Sequence, residues 1–357
     1  MHYGRCSGEE TCKWENDSIG NHSIRNRFSC QLYNYLILLD KYVDLNNTKR
    51  HIPKRNDNIL YALPKELIHP EKDMKQNHPS LTAYKVAMMR AAHQVLDDPK
   101  VFDDPIALSI VGAQGASAVF SEREKFKKRL SGYLRAIVVA RSRFVEDELS
   151  QAVKRGIRQY VVLGAGLDTF AYRNPYSDCG LKVFEVDYPA TQAWKRRQLM
   201  EAKISIPDSL TFISVDFERQ ALAERLRESG FRTDEPSFFS WLGVTMYLNR
   251  ETVMATMKYI SSSTPSGSGI VFDYVVPPSS QSFMRRWVFK LLAHRMAVVG
   301  EPWHSFFEPD SLIRDLKAVG FTQIETIGPA EINERFFRNR ADKLMVGEFG
   351  RLMKARL

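Results

Sequence analysis

Five short runs of apolar residues, rich in β-branched and aromatic side chains, lie between residues 160 and 275 and predict five buried strands. Stretches with helical patterning separate the later runs. This alternation predicts an α/β protein with a mostly parallel sheet and helices on both faces. The predicted strands are Tyr160–Leu163, Lys182–Val186, Leu210–Val215, Ser237–Leu242 and Gly269–Val275, and the helices between them are Pro189–Ala202, Ala221–Glu228 and Arg250–Ser262.

The residues ahead of this region have a helical pattern. Leu130–Val153 repeats apolar residues at helical spacing, and an earlier helix is predicted to begin with Thr82 as its N-cap and to end at Asp97. Residues 79–156 are therefore expected to be helical. Residues 1–78 are polar and irregular, and we expect a poorly ordered or peripheral extension there.

The residues after residue 275 complete the predicted domain, which spans 79–357. A helix over 310–319 and a sixth strand, Phe321–Ile327, continue the alternation. The segment 277–309 precedes them, and we interpret it as an insert that contacts the substrate.

The bulk composition excludes several classes of protein. The chain has 357 residues and a formal net charge of +9, but its basic residues are spread out and form no nucleic-acid-binding motif, so we expect no nucleic-acid partner. No run of about 18 apolar residues and no secretory signal is visible, so we expect no membrane span and a cytoplasmic location. The four cysteines form no Cys-x-x-Cys pair, and no metal site is predicted.

The most informative motif is the turn after the first predicted strand. Gly164, Ala165 and Gly166 follow that strand directly. Glycine tolerates positive φ angles and has no side chain, so a ligand can lie against the backbone. A tight turn also needs glycine for structural reasons alone, and the motif by itself leaves both explanations open.

Acidic residues follow the next two strands. Asp187 ends the second strand about 20 residues after the glycine turn, where an acid binds the hydroxyl groups of a ribose. Asp216 ends the third strand, and with Phe217 it is placed to hold an adenine ring. Asp216 is equally suited to cap the helix predicted from Ala221. Because the carboxyl ends of parallel strands meet at one edge of a sheet, these features together predict a nucleoside site.

A nicotinamide-dependent oxidoreductase, using NAD or NADP, is the alternative from another class of function. Two features count against it. Thr169 occupies the place of the third glycine in G-x-G-x-x-G, and no second mononucleotide-binding half follows Leu242. A third hypothesis is a non-catalytic module that keeps the cofactor-binding fold.

The strings around these motifs resemble the leucine carboxyl methyltransferase family, and more narrowly its polyketide-type O-methyltransferase branch. They are Val161–Arg173 (VVLGAGLDTFAYR), Val183–Pro189 (VFEVDYP), Ala140–Phe144 (ARSRF), Trp241–Leu248 (WLGVTMYL) and Gly300–Pro302 (GEP). The resemblance covers roughly residues 81 to 326. It implies a class I methyltransferase fold, which is Rossmann-like, with residues 79–156 as a helical N-terminal lid and S-adenosylmethionine as the methyl donor.

The resemblance also implies roles for the nucleoside-site residues. Gly164 and Gly166, with Ala165 between them, would approach the methionine and ribose portions of the cofactor. Asp187 would hold the ribose, and Asp216 with Phe217 the adenine.

One cation completes the site that the resemblance implies. Arg141 would pair with the methionine carboxylate, which a guanidinium can grip through two parallel hydrogen bonds. Arg143 is the alternative for this role, and Arg141 could instead be solvated or ion-paired to its neighbours Asp147 or Glu148. The chain departs from many relatives at Leu242, where they carry Glu, so a polar contact made there must be lost or replaced.

The acceptor side of the site is less marked in the sequence. Tyr247 is a candidate to position the acceptor, and His304 is a candidate general base. A partly buried aromatic residue and an exposed loop histidine are the alternatives. The aromatics Trp303, Phe306 and Phe307 would line an apolar cavity or belong to the core. The predicted function is O-methylation of a carboxyl or hydroxyl group, with a small molecule favoured as acceptor and a protein C-terminus as the alternative.

Overall fold

A computed structural model describes residues 80–216, 222–277 and 302–357, all within one compact unit, Asp57–Leu357. The predicted N-terminal extension, Phe217 and most of the predicted insert lie outside the described residues. The predicted lid segment is described from Ser80 onward.

The described strands are β1 Gln159–Leu163, β2 Lys182–Asp187, β3 Leu210–Ser214, β4 Ser237–Trp241, β5 Gly269–Val275, β6 Gln323–Ile327 and β7 Gly350–Arg356. They form one seven-stranded sheet in the order β3-β2-β1-β4-β5-β7-β6. The pairs from β3 to β5 are parallel, whereas β7 runs antiparallel to β5 and to β6. The first six strands lie within two residues of their predicted bounds, and β7 was not predicted.

The described helices are α1 Leu81–Leu96, α2 Ala107–Ile110, α3 Gly112–Ser121, α4 Arg123–Lys127, α5 Arg129–Lys154, α6 Pro189–Glu201, α7 Leu222–Glu228, α8 Arg250–Ser263, α9 Pro309–Ala318 and α10 Pro329–Phe336. The first five precede the sheet, as predicted for residues 79–156. The predicted N-cap of α1 was wrong. The hydroxyl of Ser80, not that of Thr82, accepts the hydrogen bond from the backbone N–H of Ala83, and Thr82 is already helical.

Each face of the sheet has its own apolar core, because successive residues of a strand point to opposite faces. Tyr160 and Val162 of β1 pack in one core with residues of α5, such as Phe144. Val161 and Leu163 pack in the other core with residues of α7, α8 and α9. The predicted fold class, a mostly parallel sheet with helices on both faces behind a helical N-terminal segment, is confirmed.

The segment between β1 and β2, which is described throughout, contains no α-helix. It forms 3-10 turns at Phe170–Arg173 and Ser177–Cys179. In dinucleotide-binding folds an α-helix starts at this point, and the positive end of its dipole binds the pyrophosphate. The glycine turn of this chain therefore has no such helix N-terminus from the segment that follows it.

Candidate functional site

A cavity of about 330 Å³ opens beside the residues that follow β1, β2, β3 and β4. Open α/β sheets bind their ligands at this edge. Seven of the predicted site residues line it: Arg141, Gly164, Ala165, Gly166, Asp187, Asp216 and Tyr247. Phe217 lies outside the described residues, and His304 is not among the described residues that line the cavity.

The glycine turn forms one wall of the cavity, and its glycines are also required by the fold. Gly164 has φ +67° and Gly166 has φ +50°, in the region that favours glycine. A Cβ atom at Gly164 would overlap Cγ2 of Val244, and one at Gly166 would lie 3.1 Å from Cβ of Ala83. The glycines therefore serve both the tight turn and the close approach of a ligand, since the backbone is packed by protein on one side and faces the cavity on the other.

Asp187 is joined directly to this turn. Its Oδ2 accepts a hydrogen bond from the backbone N–H of Gly166 at 2.5 Å, and its Oδ1 accepts one from Tyr188 at 2.6 Å. Burial raises the pKa of the Asp187 carboxyl, and the two backbone N–H donors oppose this rise. Each carboxylate oxygen can accept a further hydrogen bond, so the carboxylate can hold the hydroxyl groups of a ligand against the turn.

Arg141 is buried and lines the same cavity. Its Nη1 donates to Oδ2 of Asp273 on β5 at 2.5 Å, so its partner is neither Asp147 nor Glu148. Arg143, the alternative cation, pairs with Asp147 and its side chain is 51% exposed. The structure therefore brings Arg141, and not Arg143, to the cavity.

Asp216 and Leu242 lie on the cavity wall beside the central strands. Asp216 is half-buried next to Val215, whose backbone N–H donates to the carbonyl of Asp187 at 2.9 Å. The helix that Asp216 was expected to cap is described only from Leu222, so the capping alternative falls partly outside the described residues. Leu242 presents an apolar side chain to the cavity.

Only one of the two candidate acceptor residues lines the described cavity. Tyr247 lies in a 3-10 turn, Thr245–Tyr247, and reaches the cavity. His304 is exposed, although its backbone N–H donates to the carbonyl of Met246 at 2.7 Å. The side chain of His304 is not part of the described cavity wall.

None of the three aromatics near His304 is among the described residues that line the cavity, and all three pack in apolar clusters. Trp303 and Phe306 are partly buried and pack with Tyr247 against Met246. Phe307 is 1% exposed and belongs to a core of the sheet.

Helix α1 supplies lining residues that the sequence analysis did not identify. Ala83 and Val86 line the cavity, and so does Arg90, whose guanidinium donates to the carbonyl of Leu167. Arg90 also lies 3.3 Å from the carboxylate of Asp104. The sequence did contain a signal for Arg90, because an arginine on the otherwise apolar face of a predicted helix is unusual.

Two further features concern metal binding and membrane crossing in the described ranges. No group of three or more His, Cys, Asp or Glu side chains there is arranged to hold a metal ion. Nor does any helix in those ranges have the length and apolar character needed to cross a bilayer.

Sequence comparisons match the chain to one family model and to several curated relatives. A family model described as leucine carboxyl methyltransferase matches residues 83–261. A Bacillus subtilis (strain 168) protein named "Putative S-adenosyl-L-methionine-dependent methyltransferase YktD" is 34% identical over 298 residues, covering 77% of this chain and 97% of that protein. A similarly named Mycobacterium marinum protein is 33% identical over 221 residues, covering 58% and 72%. A crystal structure described as "a putative methyltransferase from Thermobifida fusca YX" superposes with a TM-score of 0.49 at 16% identity, covering 78% of this chain and 95% of that chain.

Proposed function

The chain belongs to the leucine carboxyl methyltransferase family and is an S-adenosylmethionine-dependent methyltransferase, and from this premise we propose that it holds the cofactor in the described cavity and transfers the methyl group to an oxygen atom of a small, largely apolar molecule. The observation that carries the proposal is the direct contact between Asp187 and the glycine turn at the edge of one cavity. A nucleoside needs a carboxylate for its ribose and bare backbone beside it, and both are in place.

The residues around the cavity suit the separate parts of the cofactor. Asp187 would accept hydrogen bonds from the ribose hydroxyl groups, and Asp216 would meet the amino group of the adenine. Arg141 would bind the methionine carboxylate at the other end. When bound, the cofactor supplies a methyl group on a sulfonium, which is already activated for displacement.

The task left to the chain is to align the acceptor and to exclude water. The acceptor oxygen forms a bond to the methyl carbon as the bond from that carbon to sulfur breaks, and the electron pair of the broken bond stays on sulfur. A hydroxyl acceptor also releases its proton, whereas a carboxylate arrives ionised. Tyr247, in the 3-10 turn that follows β4, would position the acceptor.

The lining favours a small apolar acceptor over a charged peptide end. Leu242, Val244 and Leu248 present apolar side chains beside Tyr247. Arg90 and Arg141 are the cations of the described lining; Arg90 is bonded to protein groups, and Arg141 is assigned to the cofactor. An acceptor carboxylate would therefore lack a cation of its own in the described cavity wall.

The expected cytoplasmic location stays a prediction.

Nothing observed supports the oxidoreductase alternative. The 3-10 turn at Phe170–Arg173 supplies no helix dipole for a pyrophosphate. Titration calorimetry of the full chain against adenosylmethionine, adenosylhomocysteine, NAD and NADP tests the choice. We expect binding of the first two ligands only, and binding of NAD or NADP alone would overturn the proposal.

The role of Asp187 is tested in the same calorimetric assay. Asp187→Ala should weaken adenosylhomocysteine binding by about 100-fold or more, because hydrogen bonds to two ribose hydroxyl groups are lost. The matched control is Asp208→Ala, which removes an exposed carboxylate and should leave the affinity unchanged. Unchanged affinity in Asp187→Ala would remove the ribose role.

Methyl transfer itself separates an enzyme from a silent binding module. Purified protein with labelled adenosylmethionine is offered a panel of small phenols, small carboxylic acids and a peptide with a free C-terminus. Labelled phenol ethers would support the proposal. Labelling of the peptide alone would replace the proposed acceptor class, and binding without transfer to any acceptor would favour the module.

A further inference from the structure

Strand β5 is apolar except for one carboxylate. The predicted site does not use that carboxylate. β5 has the sequence GIVFDYV and is buried at every position. Its charged residue, Asp273, is only 4% exposed. Burying a carboxylate is costly unless it is paired, so its partners indicate what it does.

Both carboxylate oxygens of Asp273 are engaged by different parts of the cavity wall. Oδ2 accepts from Nη1 of Arg141 at 2.5 Å, and Oδ1 accepts from the backbone N–H of Gly243 at 2.6 Å. Gly243 belongs to the turn after β4. One side chain thus joins helix α5 to the turn that borders the cavity.

The guanidinium of Arg141 is pressed against that same turn. Gly243 has φ +73°, and a Cβ atom there would lie 2.7 Å from Nη2 of Arg141. The next residue, Val244, fills the space beside Gly164, where no Cβ could fit. The position of the cation and the position of the glycine turn therefore depend on one set of contacts.

We propose that Asp273 is a positioning residue that holds Arg141 in the orientation needed to bind the amino-acid carboxylate of the cofactor. This inference rests on the proposed function. Asp273 takes one N–H of Nη1, and a guanidinium has five N–H donors, so donors remain for a second carboxylate. The ion pair also allows a cation to stay buried at the end of the cavity before the ligand arrives.

Asp273 can also have the opposite effect, which is to weaken the binding of the cofactor carboxylate. The experiment must distinguish this effect from positioning. A carboxylate paired to Arg141 also neutralises its charge, and removing that carboxylate could strengthen the attraction for a ligand carboxylate. Positioning and neutralisation therefore predict opposite signs for the same substitution.

The test compares two nucleosides that differ in the amino-acid part. Adenosylhomocysteine carries the carboxylate, whereas 5′-methylthioadenosine lacks the whole amino-acid group. Asp273→Asn keeps the shape of the side chain but has only one oxygen to accept from its two donors. We expect it to weaken adenosylhomocysteine binding by about 10-fold or more, the loss typical of one charge-assisted hydrogen bond, and to leave 5′-methylthioadenosine affinity within about 2-fold.

The control is a double-mutant cycle with Arg141. Arg141→Ala should produce the same selective loss, and Arg141→Ala with Asp273→Asn should add little further loss, because Asp273 acts through Arg141. An equal loss for both nucleosides would show that Asp273 is merely structural. Unchanged or tighter adenosylhomocysteine binding would show that neutralisation dominates. Either result overturns the inference.

One outcome separates failure of the proposed function from failure of this inference, and a second variant covers a folding defect. If the unaltered chain binds neither nucleoside, the proposed function fails first. If Asp273→Asn does not fold, Asp273→Glu decides, because it keeps the charge but displaces the carboxylate by one methylene. The same selective loss is expected there, and wild-type affinity, or failure of both variants to fold, overturns the positioning role.

Discussion

At the scale of single residues, the two glycines of the turn meet different neighbours. Gly164 is packed against Val244, from the turn after β4, and Gly166 approaches Ala83, from α1. Both have positive φ angles. The consequence is that a side chain at Gly164 adds a steric clash to the backbone strain.

Gly164→Ala should therefore destabilise the protein by more than a matched substitution that brings strain alone. Gly180 provides that match, since its φ is +76° and no atom lies within 4 Å of a Cβ placed there. Gly180→Ala should cost about 1 kcal/mol for the left-handed backbone, and Gly164→Ala about 1–3 kcal/mol more for overpacking. Urea unfolding measures both, and equal losses would contradict the described packing of the turn.

The two arginines of the ARSRF string provide a second comparison at this scale. Arg141→Ala should weaken adenosylhomocysteine binding by about 10-fold or more, because a charged contact to the carboxylate is lost. Arg143→Ala should have no effect, since its side chain pairs with Asp147 at the surface. Calorimetry decides, and a loss confined to Arg143→Ala would move the cofactor contact to that residue.

At the scale of secondary-structure elements, a buried ion pair joins β2 to α6. Nζ of Lys195 lies 2.6 Å from Oε2 of Glu185, and both side chains are 1% exposed. Burial raises the pKa of Glu185 from 4.5 to about 7, although Lys195 opposes the rise. Because this pKa is higher in the folded chain, its contribution to stability is fully present below about pH 4.5 and is lost as the pH rises through about 7.

The pH dependence of stability tests this pair. Between about pH 5.5 and about pH 8, the free energy of unfolding of the unaltered protein should fall by about 2 kcal/mol more than that of Glu185→Gln with Lys195→Met. Both residues are changed because a buried ammonium left without its partner would add its own pH dependence. Urea unfolding at each pH gives the comparison, and parallel profiles would contradict the raised pKa.

At the scale of the whole molecule, the cavity is built from the helical segment ahead of the sheet and from four strand ends. A ligand that fits it should stabilise all of these parts together. Adenosylhomocysteine at about 100 times its Kd should add about 2.7 kcal/mol and raise the Tm by about 4 °C. NAD at the same concentration should not raise the Tm. Differential scanning fluorimetry measures the shift, and a larger shift with NAD would contradict the assignment as an adenosylmethionine-dependent methyltransferase.

Much of the fold was predictable because the evidence for it is local. Strand runs, helical spacing and the glycine turn are properties of neighbouring residues, and six of the seven described strands were found from them. The seventh, β7, carries Lys354 and Arg356, so its sequence lacks the apolar pattern of a buried strand. These charges are tolerated because both side chains pair with Glu148 of α5. That compensation comes from a distant part of the chain and leaves no local pattern.

The same division holds for the site. Asp187 lies at the turn because consecutive parallel strands end at one edge, which the strand pattern already implies. The partner of Arg141 lies 132 residues away, and only the pairing of β4 with β5 beneath α5 brings Asp273 to it. Sequence alone therefore determined six of the seven described strands and the strand-end motifs, whereas tertiary structure decided which charges meet. Pairing of buried charges depends on distance in space, and a one-dimensional pattern does not contain that distance.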